Sequence, residues 1–410
     1  MSRMRCRAPR PTVRQLVEET RPVSFELNDE QVALRDAAER YFMDTLAPLS
    51  QKMDDEEWWP AEVWPRMAQM GYLGLTVDPD YGGQGLDMVT AGMVHETMAR
   101  ANHSFALSWA AHDNLCLNNI YRNGNEEQRR RWVTALCNGS ALGALALTEP
   151  GAGSDALGGM RTTARRDGDD YVLNGTKLYI TNGPEADILL VYAKTAPEKG
   201  AKGISAFVVE KDPPGFKVAQ KLDKMGFRGS TTAELVFEDA RVPAANRIGE
   251  ENSGVAVVMS GLDLERAYIA PLCVGMADRA LELAIDYAKE RQQFGQPIGS
   301  YQMVQSKLAR MYAEVEASRT FTYRALAACD DMEVGGGGRG EIHKLTAAAL
   351  WYASDVCSRV VDDAVQIFGG AGFMREMEVN RLYRGAKLLA IGAGTQEVRQ
   401  IIIAEELLRS

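Results

Sequence analysis

Histidine is scarce: the 410 residues carry four, His95, His103, His112 and His343. None stands in H-E-x-x-H or in a Cys/His ligand spacing, so no zinc site is indicated, and each reads as an ordinary core or surface histidine. The six cysteines, at 6, 116, 137, 273, 329 and 357, form no C-x-x-C pair and read as free thiols in a reducing compartment. There is no G-x-x-x-x-G-K phosphate loop and no G-x-S-x-G elbow. No dinucleotide fingerprint follows a strand and opens a helix, so a nicotinamide site of that type is unsupported. Positive charge is in deficit: Lys and Arg number 46 against 56 Asp and Glu, which argues against a nucleic-acid binder held by a broad basic surface. No apolar run approaches the ~20 residues of a membrane-spanning helix. The most apolar stretches, Ile188 to Ala193 and Ala141 to Leu147, have strand length.

What is present changes character along the chain. Arg3, Arg5, Arg7, Arg10 and Arg14 precede the first acid, Glu18. This basic start reads as an extension of a cytoplasmic bacterial protein, or as a transit peptide to the mitochondrial matrix. Residues 1–24 are therefore set apart from the fold. Asn28 and Gln31 have capping-box spacing, and Leu34, Ala38, Tyr41 and Thr45 follow on one helical face. Helical patterns continue to about residue 138, broken by the turn-rich DPDYGGQGL stretch at 78–86. β-Rich runs then take over: Ile188–Ala193, Ile204–Val209, Ala233–Phe237, and Tyr171–Ile180, where Asn174-Gly175 predicts a hairpin of two short strands. From about Ser253 longer helices return, and Ile342 to Phe368 ends at Gly369-Gly370. Gly335–Gly338 reads as a flexible joint. The domains expected are 25–140 (helical), 141–252 (β) and 253–410 (a four-helix bundle).

Three segments stand out chemically. In Leu145-Ala-Leu-Thr-Glu-Pro-Gly-Ala-Gly-Ser-Asp155 a strand runs into Gly151 and Gly153, with Thr148 and Ser154 adding hydroxyls. Such a loop can hold polar cofactor edges through backbone N–H groups, or be a plain β-turn. In Ser260-Gly-Leu-Asp-Leu-Glu-Arg-Ala-Tyr-Ile-Ala-Pro271 a Glu–Arg pair enters an apolar helix. A carboxylate facing an apolar cavity has its pKa raised, which suits a base for a weakly acidic carbon; a surface ion pair is the plainer alternative. Gln366-Ile-Phe-Gly-Gly370 and Ile391-Gly-Ala-Gly-Thr-Gln-Glu397 place glycines beside polar residues, or are two helix caps.

In this order, over residues 25–408, these segments resemble the acyl-CoA dehydrogenase family. The motifs are YGGQGL (81–86), LTEPGAGSD (147–155), YITNG (179–183), LDKMGFRGS (222–230), ERQQFGQPI (290–298), QIFGGAG (366–372) and GAGTQEVR (392–399). The resemblance implies an α+β fold: an N-terminal helical domain, a middle β-barrel domain and a C-terminal antiparallel helical bundle. It implies FAD as cofactor, an acyl-CoA substrate, a homotetramer, and an electron-transfer flavoprotein as acceptor.

In many members the base is a Glu just before the Gly-Thr of the last motif; here that position is Ala393. In the isovaleryl branch, tied to leucine degradation, the base sits in L-D-L-E-R, and this chain has Leu262-Asp-Leu-Glu-Arg266. The resemblance thus assigns the base to Glu265. It implies that Leu145, Leu147, Thr148, Gly153, Ser154, Tyr179, Ile180 and Thr181 line the flavin. Arg291 and Gln302 would hold its pyrophosphate and adenosine side. Gln366, Ile367, Phe368, Gly369 and Gly370 would reach FAD from a neighbouring subunit, and Thr395, Gln396 and Glu397 would also touch FAD. Ser154, Asp263, Leu264, Arg266, Ala393 and Gly394 would contact the thioester. Gly392 removes bulk where straight-chain relatives carry tyrosine, and Leu107 and Ala111 resemble the apolar floor of the isovaleryl pocket. Trp109, Ala110, Tyr179 and Ala256 depart from the family pattern. The competing readings are a carrier-protein thioester dehydrogenase, a flavin monooxygenase of the same fold, and a non-catalytic helical scaffold.

Overall fold

The computed structural model describes residues 27–211, 213–330, 332 and 337–409. Residues 1–24 of the basic extension, and Gly335 and Gly336 of the glycine joint, lie outside the described residues. The first helix, α1 (Asp29–Thr45), opens with the capping box read from the sequence. The Asn28 side chain accepts from the Gln31 N–H at 2.9 Å, and the Gln31 side chain accepts from the Asn28 N–H at 3.0 Å. Then come α2 (Met88–Ala101) and α3 (His103–Ala110), and α3 runs on as a wider π-helical stretch, Ala111–Asn118. Nearly every side chain of these pieces is buried, so α2 and α3 are core helices without a polar face.

The β layer follows: β1 (Gly143–Ala146), β2 (Thr163–Asp167), β3 (Asp170–Thr181), β4 (Ile188–Lys194), β5 (Ile204–Glu210), β6 (Phe216–Lys221), β7 (Thr232–Pro243) and β8 (Arg247–Ile248). Strand order is β6-β7-β3-β2-β4-β5-β8, with β1 parallel to β4. The expected barrel is not closed. β2 meets β4 only at Thr163–Lys194, so two half-sheets join at a corner. The outer edges stay open because β8 is two residues long and β6 is almost wholly exposed, with Lys217 and Lys221 along it.

The hairpin expected at Asn174-Gly175 is also corrected. β3 is one continuous strand, and the turn is at Gly168-Asp169, between the paired Asp167 and Asp170. Gly175 is needed for close approach instead: a Cβ there would lie 2.7 Å from the Thr162 Cα.

Helices α4 (Gly254–Glu290), α5 (Gln302–Cys329), α6 (Gly340–Phe368), α7 (Glu378–Leu389) and α8 (Gln396–Arg409) complete the chain. Between α4 and α5 a small hairpin, β9 (Gln292–Gln293) and β10 (Gln296–Pro297), turns through Phe294 and Gly295. α4 packs on both α2 and α6, so one apolar core runs through the N-terminal and C-terminal helices, while the β layer keeps its own.

Candidate active site

The loop after β1 and the middle of β3 form one surface. Lys177, fully buried, donates to the Leu147 carbonyl at 3.0 Å and to Glu149 Oε1 at 2.8 Å. Glu149 also accepts the Arg161 N–H at 2.6 Å and the Thr162 N–H at 3.0 Å. Burial alone would raise the Glu149 carboxyl, but Lys177 and these donors hold it below the usual carboxylate range. The Leu178 N–H donates to the Thr148 carbonyl at 2.8 Å. Immediately beyond, a register shift between Lys177 and Ile180 puts Tyr179 at φ +62°, and its ring turns out to 66% exposure. Ile180 stays in the β core.

Leu145, Leu147, Thr148, Gly153, Ser154, Tyr179 and Thr181 are thus brought together by the β1 loop and β3. Gly153 and Ser154 are exposed, and a Cβ at Gly151 or Gly153 would meet nothing within 4 Å. Among the described residues, the hydroxyls of Thr148, Ser154 and Thr181 and the Gly153 N–H have no protein partner. An exposed aromatic ring beside several free donors fits the polar edge and flat face of a flavin.

The helical side is built differently. On α4, Leu262 packs with the cluster that takes in Leu145 and Leu147. Leu264 and Ile269 pack with the cluster that takes in Leu107 and Ala393. Glu265 lies at that junction, surrounded by protein yet partly accessible. Burial pushes its carboxyl up to about 7, against the opposing pull of the Arg266 and Arg399 charges. Among the described residues nothing donates a hydrogen bond to it or pairs with it directly.

Past the end of α7, Ala393 takes φ +55° and Gly394 φ +85°, both left-handed. Among the described residues, the Ala393 N–H has no acceptor. Leu107 is half-buried and Ala111 buried on one face of α3 and its π extension, a turn apart.

Not every expected residue faces this junction. Asp263 has no accessible surface. It accepts from Arg266 at 2.9 Å and from the Gly338 N–H at 2.7 Å, and it lies 2.6 Å from His343 Nδ1. Its side chain ties α4 to α6 rather than meeting a ligand, and Leu264 is a core residue. Ile367 and Phe368 are buried, with Phe368 stacked on Tyr287 at 4.1 Å, so only Gln366, Gly369 and Gly370 present themselves outward. Arg291 and Gln302 are exposed, flanking the β9–β10 hairpin. Thr395 and Gln396 are half-buried and Glu397 exposed at the start of α8.

Sequence reasoning passed over Glu149, Lys177 and Arg399. The available signals were a lysine at an inward position of an alternating strand, and an arginine on the same helical face as Ile402 and Ile403.

Fold and site together define a flavin-binding oxidoreductase of helical–β–helical build. The N-terminal, middle and C-terminal domains of acyl-CoA dehydrogenases match residues 28–140, 144–240 and 252–408. The chain belongs to the acyl-CoA dehydrogenase family, and FAD is its cofactor. It is 43% identical over 381 residues to mitochondrial isovaleryl-CoA dehydrogenase of Pongo abelii, covering 92% of this chain and 88% of that one. The structure of butyryl-CoA dehydrogenase from Megasphaera elsdenii superposes with a TM-score of 0.90 at 38% identity, covering 94% of this chain and all of that one. The FAD complex of PigA superposes at 0.88 with 31% identity, covering 95% of this chain and all of that one.

Proposed function

We propose that the protein oxidises a short branched acyl-CoA, isovaleryl-CoA or a close analogue, to its 2-enoyl ester, with Glu265 as the α-proton base. The observation that carries this reading is the pairing of a carboxyl pushed up to about 7 with a free left-handed N–H at Ala393, around the same junction. The α-hydrogen of a thioester is only weakly acidic. A donor aimed at the thioester carbonyl stabilises the charge that develops as the proton leaves, and the Ala393 N–H is the candidate donor. Glu265 takes the proton, and a base with a pKa near working pH is both available and strong enough. FAD, when bound, supplies the hydride acceptor.

Thr148, Ser154 and Thr181 would hold the polar edge of the flavin and Tyr179 would lie against it. Arg291 and Gln302 would hold the pyrophosphate and adenosine side, with Thr395, Gln396 and Glu397 close to the cofactor. Gln366, Gly369 and Gly370, being exposed, would serve the FAD of a neighbouring subunit in a homotetramer. An electron-transfer flavoprotein would collect the electrons. Gly392, Leu107 and Ala111 leave width for a branched chain. The similarity to isovaleryl-CoA dehydrogenase supports that width.

The test is a panel of thioesters read by anaerobic flavin bleaching: isovaleryl-, 2-methylbutyryl-, butyryl- and octanoyl-CoA, and isovaleryl carried on an acyl carrier protein. Fastest bleaching with a branched short-chain CoA ester is expected. Bleaching by the carrier-bound ester alone would overturn the substrate reading.

A further inference from the structure

Arg399, on α8, is fully buried and has no salt-bridge partner among the described residues. Its guanidinium donates to the Ser354 hydroxyl at 3.0 Å, to the Leu389 carbonyl at 2.9 Å and to the Gly392 carbonyl. Its Nε meets no acceptor among the described residues. A buried cation that binds only neutral oxygens is costly unless a charge elsewhere compensates it. Burial pulls it down to about 10.

Two features give that cost a use. The Leu389 and Gly392 carbonyls lie at and just past the C-terminal end of α7, where a cation is favoured, and Gly392 leads directly into the left-handed Ala393–Gly394 turn. The charged and titratable groups that feel Arg399 are Glu265, Arg266 and Cys273 from α4 and Glu397 from α8 itself. Those around Glu265 are Arg266 on its own helix, Arg399, and the Tyr192 hydroxyl from β4, which is buried without a partner among the described residues. Arg266 is already paired with Asp263. Among the described residues, Arg399 is therefore the positive charge near Glu265 that is not neutralised by a contact of its own.

We propose that Arg399 is a positioning residue for the reaction: it clamps the Gly392–Gly394 turn so that the Ala393 N–H stays free, and it is the counter-charge that lets Glu265 ionise in a buried site. The proposal rests on Glu265 being the base. A forked guanidinium suits the clamp, because two carbonyls and a hydroxyl are bound at once, which a lysine cannot reproduce.

The experiment uses the FAD-loaded enzyme and two readouts. One is the acid limb of the isovaleryl-CoA bleaching rate. The other is the infrared carbonyl band of protonated Glu265, identified as the band missing in Glu265→Gln. Arg399→Gln is expected to raise the infrared midpoint by about half a pH unit or more, and to slow bleaching at pH 8 by about tenfold or more. Arg399→Lys keeps the charge and loses the fork, so its midpoint should stay in place while bleaching still slows. An Arg399→Gln enzyme with full FAD content and an unmoved midpoint overturns the proposal. If Arg399→Gln does not fold, Arg399→Lys decides, and a wild-type bleaching rate in it is the overturning result. Near-normal turnover by Glu265→Gln would instead sink the base assignment. An inactive Glu265→Gln beside an unmoved Arg399→Gln midpoint sinks the Arg399 proposal alone.

Discussion

Two carboxylates stand on opposite sides of the site, Glu149 buried and Glu265 enclosed but partly accessible, and their surroundings could hardly differ more. Glu149, on the β side, is met directly by Lys177 and by two backbone N–H groups, and stays ionised below the usual range. Glu265, on the helical side, has no direct donor among the described residues, feels the charges of Arg266 and Arg399 without a direct contact, and rises to about 7. Direct hydrogen bonds to the charged form fix a carboxylate as a structural tie. Burial without them leaves a carboxylate able to exchange a proton near neutrality. The β side therefore holds its carboxylate as a fixed charge, and the helical side holds a carboxyl that titrates closer to neutrality.

The comparison breaks first at Glu265. Glu265→Gln should lower isovaleryl-CoA bleaching by about a thousandfold or more, while FAD content stays at the wild-type level. A mutant with near-normal rate would place the base elsewhere. Lys177→Met leaves the buried Glu149 charge without its cation. It should destabilise the protein by about 3–5 kcal/mol, seen as a lower Tm with loss of FAD. An unchanged Tm would mean that Glu149 is held by its N–H donors alone.

A third test uses pH. The Glu265 carboxyl in the folded protein sits above its ordinary value of 4.5, so the folded state holds that proton more tightly than the unfolded chain. Its ionisation therefore costs stability, little below pH 4.5 and fully above pH 7. Glu265→Gln should be more stable than the parent by about 1–3 kcal/mol at pH 8, and by much less at pH 5, in urea melts at both values. Equal differences at the two pH values would contradict a raised carboxyl.

The smallest effect concerns shape. Gly392 has no left-handed backbone, and a Cβ there would come no closer than 3.5 Å to the Leu388 carbonyl. Gly392→Leu should therefore fold, yet slow isovaleryl-CoA about tenfold by filling pocket width, with butyryl-CoA less affected. Equal slowing of both esters would argue that Gly392 does not set the acyl preference.

Much of the architecture was legible in the sequence because it depends on local periodicity. The Asn28–Gln31 capping box, the helix end at Gly369 and the order helical, β, helical each follow from residues close together in the chain. Asn174-Gly175 misled for the opposite reason. Its glycine answers to Thr162, a residue on another segment, while the true turn at Gly168-Asp169 carries the weaker-looking signal. The open sheet was equally hidden, since closure depends on whether strand edges meet in space and not on strand count.

The same division runs through the site. The sequence by itself determined that a glutamate enters an apolar helix at 265, that Ala393 stands between two glycines, and that the β1 loop is rich in glycine and hydroxyls. Only the tertiary structure decided which acid is poised and which is tied. It gave Glu149 a buried lysine from a neighbouring strand, gave Asp263 to His343 and Arg266, and left Glu265 without a direct partner among the described residues. Hydrogen bonds and charges act over a few ångströms of space, not over sequence separation, so the protonation of a carboxylate is decided by neighbours that folding brings to it.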